Sequence, residues 1–217
     1  MKKIIFTLLF FSISSFALSL DQVRADLKKS ALARDSVEMS IRTTVNTPAG
    51  KQVVSIYMVQ KGVSKTYTEM KSPLLNQRSI VNGARMKVID LNTKKSQILP
   101  YNGEALEAQS YTKFNPLDSG DWQEPVHVSD NLYSIVGSQG VLYYDSAKRR
   151  IEKIESNDAE KNTLTTFTYD ASGNLKKMEV SVIVSGIETK VTTEILALRS
   201  SKNFPDKLFE FSIMGVV

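Results

Sequence analysis

Hydrophobic positions along the chain keep two different periods, and the change between them divides the sequence. In "LDQVRADLKKSALAR" the apolar residues Leu20, Val23, Leu27 and Ala31 recur at helical spacing, with polar residues turned the other way. Ser19 and Gln22 stand at the spacing of a capping box and predict where this helix begins, with Asp21 as an alternative cap. From Val37 onward the period is two. Val37, Met39, Ile41 and Val45 alternate with Glu38, Ser40, Arg42 and Thr44, the pattern of a half-buried strand. "NTPAG" turns the chain and "KQVVSIYMVQK" continues it as a second strand. Strand-like runs then follow through "VSKTYTEM", "QRSIVNG", "RMKVIDL", "SQILP", "PVHVS", "LYSIVG", "GVLYYD", "RIEKIES", "TLTTFTYD", "LKKMEVSVIVS" and "IETKVTTEILALRS". Gly62, Asn82-Gly83, Gly137, Gly140 and Ser185-Gly186 punctuate them as hairpin turns do.

No helix among these runs is long enough for a parallel crossover, so the pattern predicts a meandering antiparallel sheet. Residues 102–122 break the alternation. They predict a short helix over Glu104 to Ser110, then a long loop carrying Phe114, Leu117 and Trp122. Such a loop either lies against something greasy or plugs one end of the core. Roughly eleven strands are too many for a flat sheet, which must curl, split or close. One amphipathic helix and one short loop helix cannot cover a whole sheet face. Either the sheet closes on itself, or it leaves a concave apolar surface only partly lidded.

The first residues set the compartment. Lys2 and Lys3 precede an apolar run from Ile4 to Phe11, roughly eight residues where a spanning helix needs about 20. A cleaved signal over residues 1–19 is expected, cut after Ala17 or Ser19, with residues 20–217 as a single exported, soluble domain. The chain has no cysteine. That excludes a lipoprotein anchor and a disulfide framework alike, so the fold stands on apolar burial. Of 217 residues, 41% are hydrophobic and 24% charged, which speaks against disorder. The formal charge of +5 falls by two to +3 without Lys2 and Lys3, too small an excess for a nucleic-acid footprint. Lys94-Lys95, Lys148-Arg149-Arg150 and Lys176-Lys177 read as solvated turns.

Catalytic signatures are poor. The one histidine, His127, sits in the alternating "PVHVS", where a half-exposed strand position is expected. Without cysteine or a second histidine the usual zinc ligand sets are excluded, and no calcium loop, nucleophile elbow or phosphate-binding loop is present. What remains is apolar accommodation. Met39, Met58, Met70 and Met86 fall on the first strands, and a flexible thioether suits either core filling or a surface that adapts to acyl chains.

The order of segments resembles a known family. After the N-terminal signal and helix come "SVEMSIRTTVNTPAGKQVVSIYMVQKGVSKTYTEMKSP", "IVNGARMKVIDLNTKKSQ", "DASGNLKKMEVSV" and the ending "FPDKLFEFSIMGVV". With Lys61 before a turn, Tyr67 on the next strand, Val81-Asn82-Gly83, Asp90-Leu91-Asn92 and a closing Phe209-Glu210-Phe211, this order resembles the periplasmic lipoprotein-sorting carriers, the LolA-like proteins. This chain has Lys61 where the family's carrier has arginine, and Ile213-Met214 where prolines are usual. The resemblance implies a mainly β fold. A curled antiparallel sheet forms a half-barrel, with an N-terminal helix and a short lid helix over a concave apolar face. It implies a non-enzymatic, monomeric carrier without cofactor or metal. Such a carrier takes lipoprotein acyl chains from an inner-membrane transporter to an outer-membrane acceptor; the alternatives are a sensor or complex subunit on the same fold and, from a different class, a secreted hydrolase with a carboxylate pair that the sequence does not reveal. Candidates to line the cavity are Ile56, Met58, Val63, Tyr67, Met70, Ile80, Met86 and Val88. Lid candidates are Leu106, Phe114, Leu117 and Trp122, and Lys61 is the lid-closing basic residue implied by the resemblance. Alternation alone does not fix which parity of each strand faces the groove.

Overall fold

The computed structural model describes residues 18–30, 36–62, 64–103, 116–158, 160–200 and 204–212. One α-helix, α1 (Leu20–Ser30), precedes thirteen strands: β1 (Ser36–Thr47), β2 (Gly50–Lys61), β3 (Lys65–Lys71), β4 (Asn76–Asn82), β5 (Arg85–Asp90), β6 (Ser96–Pro100), β7 (Val126–Ser129), β8 (Leu132–Gly137), β9 (Gly140–Asp145), β10 (Arg150–Asn157), β11 (Lys161–Tyr169), β12 (Leu175–Val184) and β13 (Ile187–Ser200). Strand accounts for 62% of the structure. Two short 3-10 turns, Pro116–Asp118 and Asp206–Phe209, complete the described elements.

All thirteen strands join one antiparallel sheet in the order β6-β5-β4-β3-β2-β1-β13-β12-β11-β10-β9-β8-β7. The chain meanders outward from β1 to β6, crosses to the far edge, and meanders back until β13 pairs with β1. Every pairing except β1 with β13 is between consecutive strands. The sheet does not close: β6 and β7 remain at opposite edges, and the result is a curled half-barrel.

Cross-strand partners share a face, so the register sorts the side chains into two sets. Met39 pairs with Met58, Met58 with Thr68, Thr68 with Ser79 and Ser79 with Val88. On the other side of β1, Met39 pairs with Leu198 and Ile41 with Ile195. Through Thr193–Met178, Met178–Phe167, Thr165–Ile154, Ile154–Leu142 and Leu142–Ile135 the same face continues to β8. We call it the inner face because α1 lies on it.

The helix begins as its sequence directs. The Gln22 N–H donates to Ser19 Oγ at 3.2 Å and the Val23 N–H to the Ser19 carbonyl at 3.1 Å. Leu20, Val23 and Leu27 are buried against Ile135, Leu142, Tyr144, Ile151 and Phe167. Tyr144 donates its hydroxyl to Asp26 at 3.1 Å, and burial together with that carboxylate holds its phenol well above the usual range. A second core, Val59, Tyr67, Ile80, Ile89, Phe204 and Phe209, lies on the outer face of β2–β5. A third, Met39, Ile41 and Met58 with Ile56, Ile195 and Leu198 packed beside them, is central and on the inner face.

Candidate functional site

The inner face of β1–β5 is neutral except at its margin. Its cross-strand rows run Val37, Gln60, Thr66, Val81, Met86; then Met39, Met58, Thr68, Ser79, Val88; then Ile41, Ile56, Met70, Gln77, Asp90. Asp90, at the end of β5, is the one ionisable side chain among these positions. It caps its own turn by accepting from the Asn92 and Thr93 N–H groups at 2.8 and 3.0 Å, and these bonds hold its carboxyl below the usual range. The other charges of these strands sit on the outer face: Glu38, Arg42, Lys51, Lys61, Lys65, Glu69, Lys71, Arg78, Arg85 and Lys87. Outer and inner sets alternate residue by residue, as the period-two pattern dictates.

The cavity candidates divide between these faces. Ile56, Met58, Met70, Met86 and Val88 come together on the inner face, Met58 buried and the others half-buried. Tyr67 and Ile80 are cross-strand partners on the outer face, buried in the core with Phe204 and Phe209. Val63 lies outside the described residues. Of the lid candidates, Leu117 and Trp122 are buried in the cluster with α1, while Leu106 and Phe114 lie outside the described residues, as does the helix expected over Glu104 to Ser110. Trp122 rests against the backbone of Gly137, where an added Cβ would come within 2.5 Å of the indole, and its Nε1 donates to the Ser119 carbonyl at 2.7 Å. His127 is exposed on the edge strand β7, with its Nε2 2.9 Å from the Asp130 carbonyl and its ring edge-on to Tyr133. No group of acidic and histidine side chains able to hold a metal occurs among the described residues.

The outer face holds what sequence reasoning missed. Residues 204–212 cross β2–β5 as a strap. Phe209 is fully buried and Phe204 nearly so. Its backbone carbonyls are answered one by one. Lys61 Nζ donates to the Phe204 carbonyl at 3.2 Å, Asn82 Nδ2 to that of Phe209 at 3.1 Å, and Lys87 Nζ to that of Phe211 at 2.7 Å. Lys61 and Lys65 also both contact Asp206 Oδ1, at 2.8 and 2.9 Å, and these bonds draw its carboxyl down to about 2. Arg85 lies over the Phe211 ring, 5.4 Å from its centroid. Among the described residues, Lys61 therefore fastens the C-terminal strap. The signal for it was the run "FPDKLFEF", three phenylalanines in a stretch with no helical or strand period. Under the strap, Tyr67 donates to Glu69, which also accepts from Arg78 Nη2 at 2.7 Å, and Arg78 lies over the Tyr67 ring. Tyr57 donates to Glu38 at 2.8 Å, and burial and that carboxylate push its phenol up to about 12.

No protein-family model matches the sequence, and no curated protein is similar to it. Solved structures are similar in fold. A putative outer membrane lipoprotein-sorting protein domain from Vibrio parahaemolyticus superposes on 87% of this chain and 94% of its own, with a TM-score of 0.50 at 8% identity. A LolA superfamily protein from Nitrosomonas europaea covers 89% of this chain and 98% of its own, with a TM-score of 0.49 at 13% identity. The open, curled antiparallel sheet is thus a fold that this chain shares with the putative domain from Vibrio parahaemolyticus.

Proposed function

We propose that this protein is a non-enzymatic carrier that binds the acyl chains of lipoproteins, or of a related lipid, on the inner face of its half-barrel. The observation that carries this is the sorting of charge: the inner rows of β1–β5 hold four methionines and five branched aliphatic residues, with one carboxylate at their margin. With the uncharged Gln60, Thr66, Thr68, Ser79 and Gln77 between them, these residues offer methylene contacts and neutral hydrogen-bonding groups, and no cation. Each methylene taken from water contributes about 0.8 kcal/mol. The thioethers of Met39, Met58, Met70 and Met86 can follow an acyl chain without a fixed shape.

In this reading the protein works in the periplasm after losing its N-terminal signal, cut after Ala17 or Ser19. It receives cargo from an inner-membrane release transporter and delivers it to an outer-membrane acceptor, as its resemblance to the sorting carriers implies. No helix among the described residues is long and apolar enough to cross a membrane. Catalysis is not needed, since transfer between sites requires only binding and release. The test is mass spectrometry of organic extracts from periplasmically expressed protein, paired with displacement of a fluorescent fatty-acyl probe. Co-purified acyl material and probe binding in the low-micromolar range are expected; absence of both overturns the proposal.

A further inference from the structure

The inner face holds one polar group that the fold leaves unanswered. Thr66 is 2% exposed, and its Oγ1 has no hydrogen-bond partner among the described residues. Its cross-strand neighbours are Gln60 on β2 and Val81 on β4, with Met86 beyond Val81 on β5. Gln60, the polar member of that row, is already engaged, donating its amide to the Gly62 carbonyl at 3.0 Å. Two rows away Gln77 is engaged too, donating to Ser79 Oγ at 3.2 Å. A buried hydroxyl without a partner carries a desolvation cost that valine, of nearly the same shape, would not. Folding therefore gains nothing from the oxygen at this position, and a bound ligand could supply the missing partner.

The charge distribution narrows the ligand. No lysine or arginine lies on the inner face of β1–β5; Lys61, Lys65, Arg78, Arg85 and Lys87 all point to the outer face, and the inner face ends in Asp90. A fatty-acid carboxylate buried there would have no counter-charge and a like charge at the margin. A neutral ester or amide carbonyl needs only one hydroxyl donor. Resting on the carrier reading above, we propose that Thr66 Oγ1 donates to the carbonyl oxygen of an ester or amide linkage in an acylated ligand, and that the groove takes such neutral linkages in preference to free fatty-acid anions. Met58, one row away on β2, and Met86, beyond Val81 on β5, lie on the same face as Thr66, and their flexible side chains can repack to admit the chain.

The test is displacement of a fluorescent acyl probe from the full chain by three competitors: monopalmitoyl glycerol, its hexadecyl ether analogue without the carbonyl, and palmitate. The ester is expected to bind between about twofold and about tenfold more tightly than the ether, the range of one neutral hydrogen bond. Thr66→Val should bring the ester to the level of the ether and leave the ether unchanged, while Thr66→Ser should keep the difference. The urea midpoint of Thr66→Val should match or exceed that of the wild type. Palmitate should be the weakest competitor at pH 8 and improve as its carboxyl is protonated. An ester preference that persists in Thr66→Val, or is lost in Thr66→Ser, overturns the contact. Palmitate binding more tightly than the ester at pH 8 overturns the neutral preference. Failure of all three competitors to bind the wild type overturns the carrier reading and this proposal with it.

Discussion

Replacing Phe209 by alanine tests the separation of the two faces. Phe209 is fully buried among Val59, Tyr67, Ile80, Ile89 and Phe204 on the outer side of β2–β5. Truncating a buried phenylalanine removes its transfer free energy and leaves a partly collapsed cavity, together about 3–5 kcal/mol. Among the described residues the strap makes only two backbone bonds within itself, from the Leu208 N–H to the Pro205 carbonyl at 3.1 Å and from the Glu210 N–H to the Lys207 carbonyl at 3.2 Å. Its 3-10 turn spans Asp206–Phe209, and its carbonyls depend on Asn82 and Lys87 across the strands. Loosening Phe209 therefore leaves the buried Lys87 ammonium short of a partner, which pushes the cost toward the upper end. With a urea m-value of about 2–3 kcal/mol per molar for a protein of this size, the midpoint should fall by about 1–2 M. Unfolding is followed by far-UV circular dichroism, and acyl-probe affinity is measured well below the transition. That affinity should stay within about twofold of wild type, because distant sites act independently. A midpoint shift below about 0.3 M would refute the docking of the strap. A fully folded variant that no longer binds the probe would refute the assignment of the groove to the opposite face.

Met70→Asp makes the complementary change. Met70 is half-buried on the inner face, so the aspartate should lower probe affinity at least about tenfold while circular dichroism and the urea midpoint change little, since the carboxylate keeps access to water where no ligand is bound; equal loss of folding and binding would mean Met70 is core. Gly137→Ala would press a methyl group into the indole of Trp122, the chain's only tryptophan, costing about 1–3 kcal/mol and shifting its fluorescence to the red; an unchanged spectrum would contradict the packing. Tyr57 and Tyr169 have phenols pushed up to about 12, and Tyr67 and Tyr144 lie higher still, all chiefly by burial. Their contribution to stability is complete below the unfolded value near 10 and is lost as pH rises through the folded values. Ultraviolet titration should therefore leave at least four of eight phenols un-ionised at pH 10.5, and these four should ionise as the protein unfolds; smooth titration of all eight near pH 10 in folded protein would overturn this.

The meander was legible because turns and alternation are local. "SVEMSIR" gives β1 its parity without help: Val37, Met39 and Ile41 are buried and Glu38, Ser40 and Arg42 are not. In "KTYTEMK" the same rule is ambiguous. Tyr67 and Met70 are both apolar but differ in parity, and the strand is packed on both sides, Thr66 and Thr68 inward and Tyr67 outward. Period-two patterning assigns a buried face only when the other face is wet. Here the outer face is covered by residues some 140 positions later in the chain, as the Lys65–Asp206 contact shows. The strap itself has no periodic signal, being a single 3-10 turn between extended residues, so tertiary contact alone defines it. Lys61 illustrates the same limit: its place before a turn was evident, whereas its partners, the Phe204 carbonyl and Asp206, were not.

The strap also bears on how an open sheet keeps a binding face. A half-barrel that drew all its stability from the inner face would have to fill that face with its own side chains, and a ligand would then compete with folding. The two halves of this sheet solve the problem differently. From β8 to β11 the inner face is filled by α1, Leu117 and Trp122, and the outer face carries solvated pairs such as Lys153–Glu155. From β2 to β5 the larger cluster lies outside, where Phe204 and Phe209 close it, and Lys61, Lys65 and Lys87 of the outer face fasten the strap. The inner face of that half is thereby relieved of much of the work of folding. It can keep flexible methionines and an unanswered hydroxyl, features that a core under selection for stability alone would exchange for rigid aliphatic residues.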